Sequence, residues 1–373
     1  MKVLVAGGGT AGHINPALAI AGGIKKRWPD AEITFVGTPG GMEAKLVPQA
    51  GYAFETMNVA GFQRKINLTN IKRNAQAVHY LINSGSAAKK IVEKVKPDIA
   101  IGTGGYVSGP IMRKAAQMGV PLLIHEQNAF PGVTTKMLSK HAKVVMVAME
   151  AARPRLGEGL DIRLTGNPIR ADVLEYSKER ARAELGIPQD RFVVLSFGGS
   201  LGARRINEGM SNLLVRSSHD NRYYHIHGYG QYGSFLPPLL EEMGGDLKAP
   251  NLDIREYIND MPRCMAAADV VVSRAGAITL SELQAQGKAC ILIPSPNVAE
   301  NHQYHNAMAM ANRGAAEVIV ESDLTGELVI EKVDAILASK ENVEKMAAAS
   351  REMAITDAVE RITDIVAETL GIK

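Results

Sequence analysis

The stretch at residues 2–19 reads KVLVAGGGTAGHINPALA. It begins with a short, β-branched apolar run, which predicts a buried strand, and continues with glycines, which predict a tight turn. Pro16 fits the first turn of a following helix. Leu18, Ile20 and Ile24 then lie on one helical stripe. A strand, a glycine turn and a helix start in this order favour an anion, most often a phosphate, at the backbone N–H groups of the turn.

The same turn satisfies G-x-G-x-x-G through Gly7, Gly9 and Gly12, so a nicotinamide or flavin dinucleotide is one alternative ligand. That function needs an acidic residue at the end of the second strand, about twenty positions further on, to hold a ribose. The predicted second strand ends in Gly37-Thr38-Pro39, and no carboxylate is expected there. An NAD-dependent oxidoreductase is therefore the weaker enzyme hypothesis.

Length and cysteine content limit the class of protein. With 373 residues, of which 46% are hydrophobic, the chain is long enough to bury two ordinary cores. Its apolar runs have the length of strands, far short of the ~18 residues that span a bilayer. The first strand begins at residue 2, which leaves no room for a signal or transit peptide. The cysteines, Cys264 and Cys290, do not suggest a disulfide framework, so we expect a cytoplasmic protein, soluble or peripheral to a membrane.

The net charge of +3 conceals a difference between the two halves of the chain. Residues 1–166 contain 21 Lys and Arg against 10 Asp and Glu, a net charge of +11, and the remaining residues have a net charge of −8. A basic half suits an anionic partner, which can be nucleic acid, anionic lipid headgroups or a pyrophosphate substrate. An ordinary solvated basic face is the alternative.

Strand-like and helical segments alternate along the whole chain, which predicts parallel sheets with crossover helices. The alternation pauses near 165–168 and restarts with a strand at 191–197. The next residues, GGSLG at 198–202, repeat the pattern of GGTAG at 8–12 with an offset of 190. We therefore predict an α/β protein of two doubly wound, Rossmann-like domains whose glycine turns face a central cleft. The predicted domains are 1–166 and 167–352, with a C-terminal helix at 353–373 that packs back on the first.

Seven motifs occur in an order that resembles one enzyme family. They are GGGTAGH at 7–13, GTGGYVSGP at 102–110, HEQN at 125–128, TGNPIR at 165–170, GGSLGA at 198–203, RAGAITLSE at 274–282 and NHQYHNA at 301–307. Over nearly its whole length the chain resembles the MurG family of two-domain GT-B glycosyltransferases. One departure is Ala11, which stands where the family's first turn has a glycine and which is tolerated if its φ is negative.

The resemblance implies a function. Members of the family transfer N-acetylglucosamine (GlcNAc) from UDP-GlcNAc, with inversion, to undecaprenyl-pyrophosphoryl-MurNAc-pentapeptide, which converts lipid I to lipid II in peptidoglycan synthesis. The implied location is the cytoplasmic face of the bacterial cell membrane, with roles in cell wall biogenesis, cell shape and cell division. Cell-wall or division proteins are further candidate partners, whereas neither nucleic acid nor a cofactor is expected.

The segment between Gly61 and Ser84 suits contact with a membrane surface. Basic residues lie there among apolar ones: Arg64, Lys65, Lys72 and Arg73. Such a mixture is typical of a helix that rests on anionic headgroups. An amphipathic helix whose apolar side packs into the core is an equal alternative, because any surface helix has this pattern.

Three residues are candidates for the base that activates the acceptor hydroxyl: His13, His125 and Glu126. His13 is the first choice, because the N-terminus of a helix disfavours imidazolium and so favours a ring that can accept a proton. His125 and Glu126 follow a strand that ends at the predicted cleft, and either can be the base or position it. The alternatives are a structural or substrate-binding role for His13 and a supporting role in the loop for the other two.

Further positions match those that bind substrates in the family. The positions implied for UDP-GlcNAc are Thr10, Ala11, Gly12, Asn128, Arg170, Ser200, Ile258, Ala277, Ile278, Thr279, Leu280, Ser281, Glu282, Gln303 and Asn306. Ser200 and nearby N–H groups suit the diphosphate, Arg170 adds positive charge, and Glu282 suits two ribose hydroxyls. The positions expected at the acceptor pyrophosphate are Gly104, Gly105 and Tyr106.

No metal site is predicted. The chain has no Asp-x-Asp pair that could hold a divalent ion at the diphosphate, and His302 and His305 lack further obvious ligands. Helix N-termini, Ser200 and Arg170 are then expected to meet the charge of the leaving group. A non-catalytic UDP-sugar-binding scaffold remains the alternative to an enzyme.

Overall fold

The computed structural model describes residues 1–59 and 84–373. The basic segment predicted at a membrane surface, between Gly61 and Ser84, lies outside the described residues except for Ser84 itself. Over the part that is described, no helix is both long enough and apolar enough to cross a membrane. The chain divides into two compact units, Met1–Ile169 with Thr356–Lys373, and Arg170–Ile355.

The first unit is a parallel sheet with helices on both faces. Its strands are β1 (Lys2–Gly7), β2 (Glu32–Gly37), β3 (Ala53–Thr56), β4 (Ile99–Gly104), β5 (Leu122–Glu126), β6 (Val144–Val147) and β7 (Ile162–Leu164). Its helices are α1 (Ala11–Arg27), α2 (Glu43–Gln49), α3 (84–95), α4 (Ser108–Gln117), α5 (Val133–Ser139) and, from the C-terminus, α14 (Ala358–Leu370). The strand order is β3-β2-β1-β4-β5-β6-β7, so the order reverses between β1 and β4. Ligands of open α/β sheets bind outside the carboxyl ends of the strands at such a reversal.

The central strand β1 is buried on both faces, as its unbroken apolar sequence predicts. Val3 and Val5 belong to the core cluster beneath α1 and α14, whereas Leu4 and Ala6 belong to the cluster on the other face. Helix α14 packs directly on α1, where Nη1 of Arg27 lies 2.5 Å from Oδ1 of Asp364.

The second unit has the same architecture. Its strands are β8 (Phe192–Phe197), β9 (Tyr223–Gly228), β10 (Leu252–Arg255), β11 (Val270–Ser273), β12 (Ala289–Leu292) and β13 (Ala316–Val318). Its helices are α6 (Lys178–Leu185), α7 (Arg204–His219), α8 (Leu236–Glu242), α9 (Met261–Ala267), α10 (Ala277–Ala285), α11 (His302–Ala311), α12 (Gly326–Leu337) and α13 (Lys340–Glu352). The parallel strands follow the order β10-β9-β8-β11-β12-β13, which reverses between β8 and β11. The prediction of two doubly wound α/β domains is confirmed.

One local prediction is wrong. Helix α1 begins at Ala11, so Pro16 is its sixth residue and not part of its first turn. Because Pro16 has no N–H, the helix loses the bond to the carbonyl of Gly12. The two glycine turns differ in detail. Gly9 and Gly199 both have positive φ, of +83° and +97°, but Gly12 lies within α1 whereas Gly202 has a φ of +83°. Helix α7 therefore begins later relative to its glycine turn than helix α1 does.

Candidate functional site

The candidate catalytic residues of the first unit lie at the carboxyl ends of β1, β4 and β5. His13 is the third residue of α1, which follows the first glycine turn. The GTGGY motif spans the end of β4, and His125 is the penultimate residue of β5. Parallel pairing of β1, β4 and β5 therefore brings the three motifs to one edge of the sheet. This edge is where the strand order reverses.

Hydrogen bonds determine which nitrogen of His13 carries the proton. Its Nδ1 lies 3.0 Å from the carbonyl oxygen of Thr103 and 3.1 Å from Oε1 of Gln127. Both oxygens only accept hydrogen bonds, so Nδ1 is the protonated nitrogen and Nε2 of the neutral ring is an acceptor. Within the described residues, Nε2 of His13 has no hydrogen-bond partner.

His125 has both ring nitrogens engaged. Its Nε2 lies 2.9 Å from the carbonyl oxygen of Gly166, and its Nδ1 lies 3.0 Å from Nε2 of Gln127. The side chain is only 1% exposed, and this burial lowers the pKa of His125, although the bond to Gly166 and the charge of Glu126 oppose the shift. His125 is therefore a buried neutral imidazole with no nitrogen free for a substrate.

Glu126 is fully engaged by its own loop. Its Oε1 accepts from the backbone N–H and the side-chain amide of Asn128, at 3.0 and 3.1 Å. Its Oε2 accepts from the N–H of Gly132 at 3.0 Å and from the hydroxyl of Thr135 at 2.6 Å. This buried carboxylate holds the loop after β5 in place. Among the three candidate bases, the geometry thus favours His13.

The glycines of the GTGGY motif make room for the first glycine turn and its helix. A Cβ at Gly104 would lie 2.9 Å from Nδ1 of His13, and one at Gly105 would lie 2.1 Å from the carbonyl oxygen of Gly8. Gly104 is buried, whereas Tyr106 is partly exposed beside Gly9. Of the three residues predicted at the acceptor pyrophosphate, Tyr106 therefore offers an accessible side chain, whereas the two glycines offer only backbone.

Glu43 is a residue that the sequence analysis missed. From the start of α2 its buried carboxylate accepts from the N–H of Gly9 at 3.2 Å and from the N–H and hydroxyl of Thr38 at 3.0 and 2.8 Å. Burial alone would raise the pKa of Glu43, but these hydrogen bonds lower it below its ordinary value. The expectation of no carboxylate at the end of the second strand is thus wrong. The oxygens are used by the turn itself, so they are not available to a dinucleotide ribose.

Glu43 also explains why glycines occur at several points around it. A Cβ at Gly8, Gly37 or Gly41 would lie 2.9, 2.4 or 2.3 Å from the Glu43 side chain. Gly37 and Gly41 are close to Glu43 in the sequence, but Gly8 belongs to the first glycine turn, and no local sequence pattern could have indicated that contact.

The N-terminus of α1 remains open for a ligand. Thr10, Ala11 and Gly12 are exposed there, and Ala11 is the first residue of the helix. The φ of Ala11 is not positive. The methyl group at Ala11, which departs from the family's glycine, therefore causes no backbone strain.

In the second unit, the predicted donor residues lie at the carboxyl ends of β8, β11 and β12. Ser200 is exposed in the second glycine turn, ahead of α7. Nε of Arg170 lies 3.5 Å from Oε1 of Glu282 on α10 and 3.6 Å from Oδ1 of Asp172. Burial raises the pKa of Glu282, and the charge of Arg170 opposes this. Two residues predicted to bind different parts of UDP, Arg170 and Glu282, thus form an ion pair with each other.

Helix α11 is tied to the neighbouring turns by two of the predicted residues. Nδ2 of Asn306 donates to the carbonyl oxygen of Ala275 at 3.1 Å, and Oε1 of Gln303 accepts from the N–H of Ser295 at 2.9 Å. Ile258 is buried against Gly228. Along α10 the predicted residues divide between core and surface: Ala277, Leu280, Ser281 and Glu282 are buried, and Ile278 and Thr279 are partly exposed.

The predicted UDP-GlcNAc residues therefore form two groups. Thr10, Ala11, Gly12 and Asn128 belong to the first unit, and the remaining residues belong to the second. In the ranges 1–59 and 84–373, His, Cys, Asp and Glu side chains form no group of three that could hold a metal ion.

Comparison with protein families gives two matches that cover most of the chain. Residues 3–147 match the glycosyltransferase family 28 N-terminal domain, and residues 193–362 match the glycosyltransferase family 28 C-terminal domain.

Curated relatives are similar along their whole length. A protein of Acetivibrio thermocellus is 45% identical over 99% of this chain and 98% of its own, and one of Desulforamulus reducens is 42% identical over 99% of each. Both are named UDP-N-acetylglucosamine–N-acetylmuramyl-(pentapeptide) pyrophosphoryl-undecaprenol N-acetylglucosamine transferase. Among solved structures, Acinetobacter baumannii MurG superimposes with a TM-score of 0.78 at 27% identity, covering 98% of this chain and 99% of that one.

Proposed function

This chain belongs to glycosyltransferase family 28, and on that basis we propose that it transfers GlcNAc from UDP-GlcNAc to undecaprenyl-linked MurNAc-pentapeptide. The reaction converts lipid I to lipid II in peptidoglycan synthesis. The observation that carries the proposal is the 45% identity to a transferase of this name over 99% of this chain and 98% of the relative.

His13 is the proposed base. In the reaction, the 4-hydroxyl of MurNAc forms a bond to C1 of GlcNAc, the bond between C1 and the UDP oxygen breaks, and the hydroxyl loses its proton. Nε2 of His13 is the acceptor for that proton, because Nδ1 already donates to Thr103 and Gln127. His125 and Glu126 support the loop after β5, since their polar atoms are engaged within the first unit.

The second unit is the proposed donor site. The exposed hydroxyl of Ser200 and the N-terminus of α7 suit the diphosphate. Glu282 suits the ribose hydroxyls, and Arg170 beside it can turn towards the negative charge that develops on departing UDP. The N-terminus of α1 and Tyr106 are the proposed acceptor-pyrophosphate site in the first unit.

A peripheral position on the cytoplasmic face of the membrane is the further part of the proposal. Helix α5 of the first unit exposes Val133 and Met137, which are 66% and 41% accessible. Next to them, Nζ of Lys136 lies 4.2 Å above the ring of Phe130, and Arg155 lies over the same ring. Exposed apolar side chains flanked by cations suit the boundary between anionic headgroups and acyl chains.

The deciding experiment measures UDP release from UDP-GlcNAc, with and without a short-chain lipid-linked MurNAc-pentapeptide, in the presence of EDTA. The proposal expects release that depends on the acceptor and continues in EDTA. Binding of UDP-GlcNAc without any acceptor-dependent release would indicate the non-catalytic scaffold. Stabilisation by NADH and not by UDP-GlcNAc would indicate an oxidoreductase. The hydrogen bond from the N–H of Gly9 to Glu43 argues against a dinucleotide, because it occupies both the N–H and the carboxylate.

A further inference from the structure

We propose that Gln127, oriented by His125, is a positioning residue for the imidazole of His13. The inference rests on the proposed role of His13 as base and adds the residues through which the fold controls that ring. It connects two motifs of the sequence, HEQN at 125–128 and TGNPIR at 165–170, by one line of hydrogen bonds inside the first unit.

The line of hydrogen bonds allows one arrangement of protons. The carbonyl oxygen of Gly166 can only accept, so Nε2 of His125 donates to it and Nδ1 of the neutral ring must accept. Nε2 of Gln127 is 3.0 Å from that Nδ1 and also 3.0 Å from the carbonyl oxygen of His125, so both of its protons are used. The amide oxygen of Gln127 therefore faces Nδ1 of His13.

This arrangement affects the ring of His13 in two ways. The oxygens of Thr103 and Gln127 share the Nδ1 proton, which fixes the plane of the imidazole and directs Nε2 away from both of them. When Nε2 takes a proton, the Nδ1–H becomes a stronger donor, and the two oxygens stabilise the imidazolium that forms. Gln127 does this as a neutral group and places no carboxylate beside the base.

His125 acts on His13 through Gln127, which contacts both rings. If His125 were replaced by an apolar ring, the amide of Gln127 would lose one acceptor and could turn its NH2 group towards Nδ1 of His13. A donor facing a donor would then push the ring out of position. The burial of His125, with its lowered pKa, keeps the imidazole neutral at physiological pH and so keeps the amide in its present orientation.

The test is a double-mutant cycle on acceptor-dependent UDP release with Gln127→Met, His125→Phe and the double variant. We expect each single variant to lower kcat by about tenfold or more, because a hydrogen bond to a charged group is lost. The KM for UDP-GlcNAc should stay within about twofold, since the proposed donor residues of the second unit are untouched. The double variant should be no slower than the slower single variant, because both changes break one line of hydrogen bonds. Effects that multiply would show independent structural roles and overturn the proposal.

The pH profile gives a second readout. In Gln127→Met the protonated ring loses one oxygen partner, so the acidic limb of kcat/KM should move to lower pH; an unmoved limb would contradict the proposal. Ser139→Ala is the matched control, because this buried hydroxyl of the first unit donates to Lys136 and does not contact the line. Ser139→Ala should change neither kcat nor the acidic limb of the kcat/KM profile.

Two arms separate this inference from the proposed function. Full activity in His13→Gln would reject His13 as base, whereas an inactive His13→Gln with a fully active Gln127→Met would reject only the positioning role. If Gln127→Met or His125→Phe fails to fold, ¹⁵N NMR of the native protein decides. The inference expects the proton of neutral His13 on Nδ1 and that of His125 on Nε2, and the opposite tautomer at either ring would overturn it.

Discussion

Gly104 passes so close to His13 that a Cβ at position 104 would lie 2.9 Å from Nδ1 of the imidazole. The φ of Gly104 is +102°, so an alanine there would also strain the backbone. Gly104→Ala should therefore lose activity by displacing the proposed base, at least about tenfold in kcat. Gly119→Ala separates the two effects, since Gly119 has a φ of +86° and nothing within 4 Å of its missing Cβ. Both variants should be destabilised by about 1–2 kcal/mol, and equal kcat losses in the two would argue against a specific contact with His13.

Replacement of His13 itself should abolish turnover and leave donor binding intact. His13→Gln is expected to lower kcat by about 10²–10⁴, the usual contribution of a general base. UDP-GlcNAc should still raise the melting temperature of the variant, because the proposed donor residues belong to the second unit. Loss of that thermal shift along with the activity would point to misfolding or to a direct binding role for His13.

The ion pair between Arg170 and Glu282 leads to a prediction about the ribose. If Glu282 accepts hydrogen bonds from the ribose hydroxyls, the native enzyme should prefer UDP-GlcNAc to its 2′-deoxy analogue by about tenfold or more in kcat/KM. Glu282→Gln should be slower with UDP-GlcNAc and should discriminate much less between the two donors. Glu184→Gln, on α6 of the same unit, is the control and should keep the preference. A variant at Glu282 with the native preference would assign this carboxylate a purely structural role.

The sequence predicted the parts of the fold whose signal is local. Strands β1 and β8 contain continuous apolar stretches, at 3–6 and 192–195, and each was predicted close to its observed position. Strand β9 was missed because His225 and His227 interrupt its apolar run. Ser196, on the neighbouring strand, lies between these buried histidines, at 2.8 Å from Nε2 of His225 and 2.7 Å from Nδ1 of His227. Such compensation depends on tertiary pairing and leaves no local pattern.

The candidate site divides in the same way. His13 was predicted from its position after a glycine turn at the start of a helix, which is a local feature. The contacts that favour it over His125 and Glu126 were not accessible, because they join residues far apart in the chain, such as Gln127 to His13 and Gly166 to His125. Glu43 was missed for the same reason: its carboxylate bonds to Gly9, 34 residues away.

The buried histidines of β9 predict a loss of stability in mild acid. Burial lowers the pKa of His227 to about 3 and that of His225 well below its ordinary value of 6.5. Below pH 6.5 the unfolded chain takes up protons that the native state cannot, so the free energy of unfolding should fall as the pH decreases towards 3. At pH 5 His227 should cost about 2 kcal/mol relative to neutral pH, and His225 should add to this loss.

Chemical unfolding followed by circular dichroism would measure this effect. Tryptophan fluorescence would not report on the second unit, because Trp28, the single tryptophan, lies in the first unit. His227→Gln should be less stable at pH 7.5 but should lose less stability between pH 6.5 and pH 5. His219→Gln, an exposed histidine of the same unit, should leave the native slope unchanged. A native unfolding free energy that is flat between pH 6.5 and pH 5 would contradict the assignment of neutral buried histidines.

The exposed face of α5 gives the last prediction, which concerns the membrane. Val133 and Met137 present apolar surface beside Lys136, so vesicles that contain anionic lipid should bind the protein more strongly than neutral vesicles do. The double variant Val133→Asp with Met137→Asp should weaken this binding, because it replaces apolar contact with negative charge near anionic headgroups. Met243→Asp is the matched control, since Met243 is 38% exposed on the second unit. Cosedimentation at low and high salt would measure both contributions. Turnover of a soluble acceptor should be the same in the native protein and the α5 double variant. Equal vesicle binding by the two proteins would contradict a membrane contact at this helix.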